Sequence, residues 1–279
     1  MISLDDLLAQ DLQESRVWID DHLLQDEGII VLLSSKELAA PSVRNMSVAV
    51  PGRHGSYDFG GWLEPRDFTL NLVFPRQSYA DLKCQIRLFS TRFFDEYGRP
   101  KTVKLRFGDE IDKYFNARIV SEIPVERAAD RGFLSIVITA YDPYAYSNVM
   151  YDEILWGSEI VTFEYQYLLG HEGEGGTVKI HESQTLNIDV EGVALQPIFE
   201  IEGSANYITI SSGDYSFTLF RFIDTSWIID FEKYLVYKNG KETMEDIDEF
   251  YLLPGNNRIR INGSNLDIDM RIKFRDKFI

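Results

Sequence analysis

Val50-Pro51-Gly52-Arg53-His54-Gly55-Ser56-Tyr57-Asp58 is followed, after a short gap, by Arg66-Asp67-Phe68-Thr69-Leu70-Asn71-Leu72-Val73-Phe74. The first stretch is a glycine-punctuated turn. Its glycines admit positive φ, its proline stops a helix, and Tyr57 offers a flat, amphipathic contact surface. In the second, Phe68, Leu70, Leu72 and Phe74 alternate with Asp67, Thr69, Asn71 and Val73, the pattern of a half-buried strand. About 85 residues beyond the turn a second cluster closes the same half: Tyr141-Asp142-Pro143-Tyr144-Ala145-Tyr146-Ser147. Neither cluster has the composition of a reaction centre, and both have that of structural joints.

Working outward, one helix is predicted. Ser78 is an N-cap placed three residues before Asp81, and Gly98 and Pro100 stop the element near Tyr97. Tyr79, Leu82, Ile86, Phe89, Phe93 and Tyr97 step by three or four and form its apolar stripe, with Lys83, Arg87 and Glu96 directed elsewhere. Cys84 falls on the flank of that helix near the core. Strands are expected at 103–107, 114–120 and 132–141, and the Asp142-Pro143 break ends the first domain.

Residues 148–160 read as a connector, and 169–176 as a glycine-rich loop. Beyond them come short strands at 185–190, 197–202, 207–211, 215–220, 227–231 and 234–237, and Asn239-Gly240 follows the last as a type I′ hairpin turn. The final strand alternates cleanly: Leu266, Ile268, Met270, Ile272 and Phe274 face one way, and Asp267, Asp269, Arg271, Lys273 and Arg275 the other. Close strands with Gly, Asn and Asp punctuation and no amphipathic helix imply a β-sandwich.

Composition narrows the function. The net charge is −17: residues 1–150 hold 17 Lys and Arg against 22 Asp and Glu, and residues 151–279 hold 11 against 23. So acidic a chain lacks the cations that neutralise phosphates in nucleic-acid binding. The asymmetry supports two modules. No apolar run approaches the roughly 18 residues of a membrane span. Asp5 and Asp6, with no Lys or Arg ahead of the short apolar stretch, read against a secretory signal, so the two sequons at Asn45 and Asn262 read as chance. The single cysteine provides no disulfide or thiolate cluster, which fits folding in a reducing cytoplasm.

No catalytic pattern emerges. Gly173-Glu174-Gly175-Gly176 lacks the Lys-Ser/Thr of a phosphate loop, and its glutamates would repel phosphate. His171 and His181, among Glu172, Glu174 and Glu182, do not have ligand spacing. Neither a Gly-x-Ser-x-Gly elbow nor a His-Glu-x-x-His helix is present. Arg53 and His54 read as interface contacts. Trp62, Trp156 and Trp227 remain open between sugar-stacking surface and core. No cofactor, catalytic group or metal site is expected.

In their order and separation, the Pro51-Gly52-Arg53-x-Gly55-x-Tyr57-Asp58 turn and the Asp142-Pro143-Tyr144-Ala145-Tyr146-Ser147 closure resemble the distal tail protein (Dit) family of siphophages, phages with long non-contractile tails. Leu252-Leu253-Pro254-Gly255-Asn256-Asn257-Arg258-Ile259 resembles a turn of the C-terminal domain in the same proteins. Residues 1–40 and 148–196 are least covered.

The resemblance implies a mainly β protein. Residues 1–147 would form a tail-tube-like β-barrel or split sandwich flanked by the helix over 78–97, and 161–279 a galectin-like β-sandwich of jelly-roll type. It implies a virion structural protein at the distal end of a phage tail, made in the host cytoplasm. Six copies would form a ring that passes DNA and joins the tail-tube protein to a tail-associated hub or lysin protein, with a receptor-binding protein attached through the C-terminal domain. Pro51, Gly52, Arg53, Gly55, Tyr57 and Asp58 become hexamer-interface candidates. Asp142, Pro143, Tyr144 and Tyr146 become the domain junction, and Pro254, Gly255 and Asn257 the C-terminal turn. Trp227, Tyr234 and Tyr237 are candidate sugar or partner contacts. Two alternatives stand beside the hub: an adhesin for host cell-wall glycan and, more remotely, a cell-wall hydrolase.

Overall fold

The computed structural model describes residues 16–32, 35, 40–75, 78–123, 125–128, 131–151, 176–245 and 247–279. The connector over 152–160 with Trp156, and the glycine-rich loop over 169–175 with His171, Glu172 and Glu174, lie outside the described residues. The chain divides into two compact units, residues 1–145 with Ile279, and residues 146–278. It is mainly β, with one α-helix among the described residues.

The first unit contains β1 (Val17–Ile19), β2 (His22–Leu23), β3 (Ile30–Val31), β4 (Val43–Ala49), β5 (Ser56–Leu63), β6 (Arg66–Phe74), α1 (Tyr79–Thr91), β7 (Val103–Phe107), β8 (Lys113–Ile119), β9 (Val125–Ala128) and β10 (Arg131–Ala140). Its sheet runs β2-β1-β7-β8-β10-β6-β3, with β9 on β10. The alternating run is β6, paired over its whole length with β10 from Arg66↔Ala140 to Phe74↔Gly132. Phe68, Leu70, Leu72 and Phe74 are buried as their spacing requires.

Helix α1 begins where Ser78 Oγ accepts the Asp81 backbone N–H. Leu82, Phe89 and Phe93 are buried, Phe89 making edge contacts with Phe74 and Phe93 at 5.8 and 5.3 Å. Gly132 admits the helix close to β10, since a Cβ there would lie 3.0 Å from Leu82 Cδ1. Gln85 donates to the Glu27 carbonyl at 2.7 Å, and Arg92 pairs with Glu27.

The helix is shorter than the stripe predicted, ending at Thr91 rather than Tyr97. Ser90 and Thr91 hydroxyls already hold the Ile86 and Leu88 carbonyls. Asp95 then takes the Tyr97 and Arg99 N–H groups on its carboxylate and builds a separate turn, leaving Tyr97 exposed. Cys84 is exposed too, not near the core, because two residues on from Leu82 rotates it about 200° to the opposite face.

Strand β11 (Ala145–Ser147) stands at the division. The second unit contains β12 (Val178–Ile180), β13 (Gln184–Val190), β14 (Ile198–Ser212), β15 (Tyr215–Asp230), β16 (Leu235–Lys238), β17 (Lys241–Thr243), β18 (Gly255–Ser264), β19 (Asp267–Lys273) and β20 (Lys277–Phe278). The strand order is β12-β19-β14-β15-β16-β17, and β18 joins β14 to β13. One half of β14 therefore pairs with β19 and the other with β18.

What the sequence divides into four short strands is two long ones, β14 and β15. Gly203 and the bulge near Asp224 bend the hairpin without interrupting it. Gly203 has φ 131°, and a Cβ there would come within 2.2 Å of the Asp267 carbonyl oxygen. The core gathers Phe199, Phe217, Phe231 and Phe250, with Phe250 5.2 Å from Phe199 and from Phe231. Strand β19 buries Ile268, Met270 and Ile272 as its alternation predicts. Asn239 and Gly240 both have positive φ in the β16–β17 turn.

An exposed hairpin as candidate assembly site

The turn that opens the sequence reading is the tip of the β4–β5 hairpin. These strands pair with each other and form a sheet of their own. Gly52 and Gly55 both have φ 83°, the left-handed region that the tight turn requires, and Arg53 donates its backbone N–H to the Val50 carbonyl at 3.1 Å. Asp58 accepts the Gly60 N–H at 2.9 Å. The register shifts between Asn45 and Ser47. A bulge of this kind raises the twist of the ribbon.

The hairpin's side chains face water. Val43, Met46, Val48, Val50, Tyr57, Phe59 and Trp62 are each between 43% and 66% exposed. Arginines cover part of the aromatic surface, with the Arg53 guanidinium 4.0 Å from the Tyr57 ring centre and Arg44 5.7 Å from Trp62. A lone two-stranded ribbon is marginal in water, and this one leaves its large apolar side chains exposed.

Pro51, Gly52, Arg53, Gly55, Tyr57 and Asp58 are thus brought together on one hairpin. The pairs Val48↔Tyr57 and Arg44↔Trp62 put Met46, Val48, Tyr57, Phe59 and Trp62 on one face, and the sequence hides this because the register shift interrupts the alternation of β5 between Phe59 and Trp62.

In the junction motif, Tyr146 is buried with the Lys277 ammonium 5.4 Å from its ring, and Pro143 is buried. Asp142 and Tyr144 are half-buried. Next to Tyr146, Ser147 exchanges backbone and hydroxyl hydrogen bonds with Asp276, and the Arg275 guanidinium donates to the Ser147 carbonyl at 2.9 Å. Burial lifts the Asp276 carboxyl to about pKa 6; the charge of Glu191 adds to this, against the Glu191 N–H that Asp276 accepts. Burial also lifts the Tyr151 phenol, with Asp189 and Asp276 contributing.

In the C-terminal turn, buried Asn257 explains the motif. Its Oδ1 accepts the Leu253 N–H at 2.9 Å, and its Nδ2 donates to the Leu253 and Gly255 carbonyls at 2.7 and 3.0 Å. Pro254 and Gly255 are held inside that clamp, Gly255 at φ 91°.

The aromatic candidates do not converge on a sugar surface. Trp227 is 2% exposed and packs edge-on against Phe222 at 6.1 Å, with the Lys238 ammonium 4.6 Å from its ring. It lies on the inward-facing phase of β15, so no ring face is left for a ligand. Tyr234 is exposed in the left-handed conformation, φ 54°, and its hydroxyl accepts from Gln196 at 3.2 Å. Tyr237 is half-buried on β16. Exposed His181 lies 3.2 Å from exposed Asp267. Among the described residues no group of three His, Cys, Asp or Glu is placed to hold a metal ion, and no helix is long and apolar enough to cross a membrane.

Residues 23–139 match the model of the phage tail protein RIFT-related domain. No curated protein sequence matches the chain. Among solved structures, Dit of phage SPP1, described as a paradigm of the hub adsorption apparatus in phages infecting Gram-positive bacteria, has a TM-score of 0.68 at 14% identity. That match covers 95% of this chain and 99% of that one. The phage P2 baseplate in its calcium-activated conformation has a TM-score of 0.45 at 14% identity over the same shares of the two chains. Residues 23–139 are therefore similar to the phage tail protein RIFT-related domain, and the chain has the fold of the Dit protein of phage SPP1.

Proposed function

We propose that this protein is a structural subunit, not an enzyme, of a long non-contractile phage tail. Six copies form a ring at the distal end that joins the tail-tube protein to the hub and its receptor-binding proteins, and lets DNA pass. Residues 1–147 form the ring, 148–160 connect, and 161–279 supply a galectin-like attachment domain. Assembly takes place in the cytoplasm of the bacterial host.

The observation that carries this reading is the β4–β5 hairpin, whose apolar residues face water in the isolated chain. A neighbouring copy covers them. At −17 per chain, six copies carry −102, a charge that lets phosphate-rich DNA slide rather than adhere.

The test is the mass of the full-length protein by light scattering, alone and with the tail-tube protein, with particle imaging of the product. Phe59→Glu with Trp62→Glu should reduce a six-fold ring to monomers while circular dichroism and melting stay unchanged. A protein monomeric under both conditions, or a ring indifferent to the double substitution, would falsify the proposal.

A further inference from the structure

A second surface lies wholly within the second unit. A cleft of about 560 Å³ opens between the Gly213-Asp214 turn of the β14–β15 hairpin and the Leu253–Asn257 turn that enters β18. Its volume is that of a small-ligand site, yet Leu253 and Pro254 are the only aliphatic residues lining it. A polar lining selects a polar ligand, because an apolar group there would strip water from hydrogen-bonding groups without replacing it.

One wall is aromatic. The rings of Tyr215 and Tyr251 lie 5.5 Å apart at 55°. The Tyr251 hydroxyl is hydrogen-bonded to Tyr234, and burial keeps its phenol neutral beyond the usual range, with Glu249 adding to the effect. Two cations complete the lining. Arg258 and Arg260 alternate with buried Asn257, Ile259 and Ile261 on β18, so both guanidinium groups stand on the outward face. Their cross-strand partners are uncharged: Asn187 beside Arg258, and Thr185 and Ser211 beside Arg260.

Neither arginine forms an ion pair or hydrogen bond among the described residues. Arg258 and Arg260 stand two residues apart on the same face of one strand, so their two charges act on the same side of the cleft. Asp214 is the one acid in the lining. The rim is rigid before any ligand arrives, since the buried Asn257 clamp fixes the turn, and a preformed site loses less entropy on binding.

We propose that this cleft binds a sugar unit carrying phosphate or carboxylate, with Tyr215 and Tyr251 against the ring face and Arg258 and Arg260 on the anionic group. A planar guanidinium suits either anion through paired N–H donors. The site is independent of ring assembly, because every residue in it belongs to residues 146–278. It also differs from the Trp227 surface that the sequence suggests.

The experiment is titration calorimetry of the full-length protein with glucose 1-phosphate, a galacturonic acid tetrasaccharide, the neutral galactose tetrasaccharide, inorganic phosphate, and an acidic Asp/Glu peptide. The expected result is saturable binding of at least one anionic sugar, at least tenfold tighter than the neutral sugar or inorganic phosphate and weakened by salt. Which of the two anionic sugars binds separates phosphate from carboxylate recognition. Arg258→Gln with Arg260→Gln should weaken it at least tenfold, and Tyr251→Ala at least fivefold, with the melting temperature and the light-scattering mass unchanged. Equal affinity for inorganic phosphate, binding of the acidic peptide alone, binding insensitive to the arginine pair, or no binding to either anionic sugar overturns the proposal. The mass measured on the same samples reports on the ring separately.

Discussion

Asp276→Asn isolates the cost of one buried charge. The Asp276 carboxyl accepts the Glu191 backbone N–H at 2.9 Å, and Glu191 adds a like charge nearby, so its folded pKa stands at about 6 against 3.8 in the unfolded chain. The gap of about 2, at about 1.4 kcal/mol for each pH unit, corresponds to about 3 kcal/mol. Between these two values the folded protein keeps a proton that the unfolded chain has released. The favourable contribution of this group is therefore full below about pH 3.8, falls as pH rises through the window from 3.8 to 6, and is lost above it. Asparagine keeps an acceptor for the Glu191 N–H and carries no charge. The variant should be more stable than the parent by about 2 to 3 kcal/mol at pH 7.5 and equal to it near pH 4. Urea denaturation followed by circular dichroism at pH 4, 5, 6 and 7.5 measures the difference. A gap that is constant with pH, or a variant weaker at pH 7.5, refutes the reasoning.

Phe89→Ala removes a fully buried ring that packs against Phe74 and Phe93, and should cost about 3 to 5 kcal/mol in the same assay. Exposed Arg87→Ala should cost under about 0.5 kcal/mol, and equal effects at the two positions would show the buried stripe of α1 to be misassigned. Gly203→Ala places a Cβ 2.2 Å from the Asp267 carbonyl at a φ of 131°, whereas Gly213 has open space around it. The first should cost at least about 2 kcal/mol more than Gly213→Ala in urea unfolding, and equal costs would mean that the corner of β14 is not a close approach.

The parts of the fold legible in the sequence are those whose signal is local. Strand β19, and β6 up to Val73, which is buried against the alternation, declare themselves because one face is buried and the other polar, so residue type alternates with the pleat. Helix α1 does so through a Ser78 cap and a three-four stripe. The end of α1 was less legible, because Tyr97 continues the spacing by coincidence while Asp95 has already turned the chain. The continuity of β14 was hidden for the opposite reason. Gly203 reads as a break, yet here it lets one strand change partners from β19 to β18. Of the candidate sites, the Pro51 turn was legible as a turn but not as the tip of a ribbon. Trp227 was ambiguous, since a tryptophan on an alternating strand carries the same letters whether the phase points in or out. The cleft joins 211–215 with 251–260, two segments brought together only by the β14–β18 pairing. Its one local trace is Arg258 and Arg260 two residues apart with apolar Ile259 between them.

The hairpin and the cleft depart from ordinary folding economy in opposite directions. In the first unit apolar side chains stay in water on a ribbon outside the main sheet, where burial would gain about 25 cal/mol per Å². In the second, two cations remain unpaired where acids are abundant, although exposed pairing gains so little, under about 1 kcal/mol, that stability alone hardly selects for or against it. The weight of the two observations therefore differs. An uncovered apolar ribbon forgoes more free energy than two unpaired surface cations, which makes the hairpin the stronger ground for the proposed assembly. The arginines forgo little, so their meaning rests on company: they line a polar cleft with two tyrosines and a clamped rim, and it is that convergence, not the charge alone, that points to a ligand.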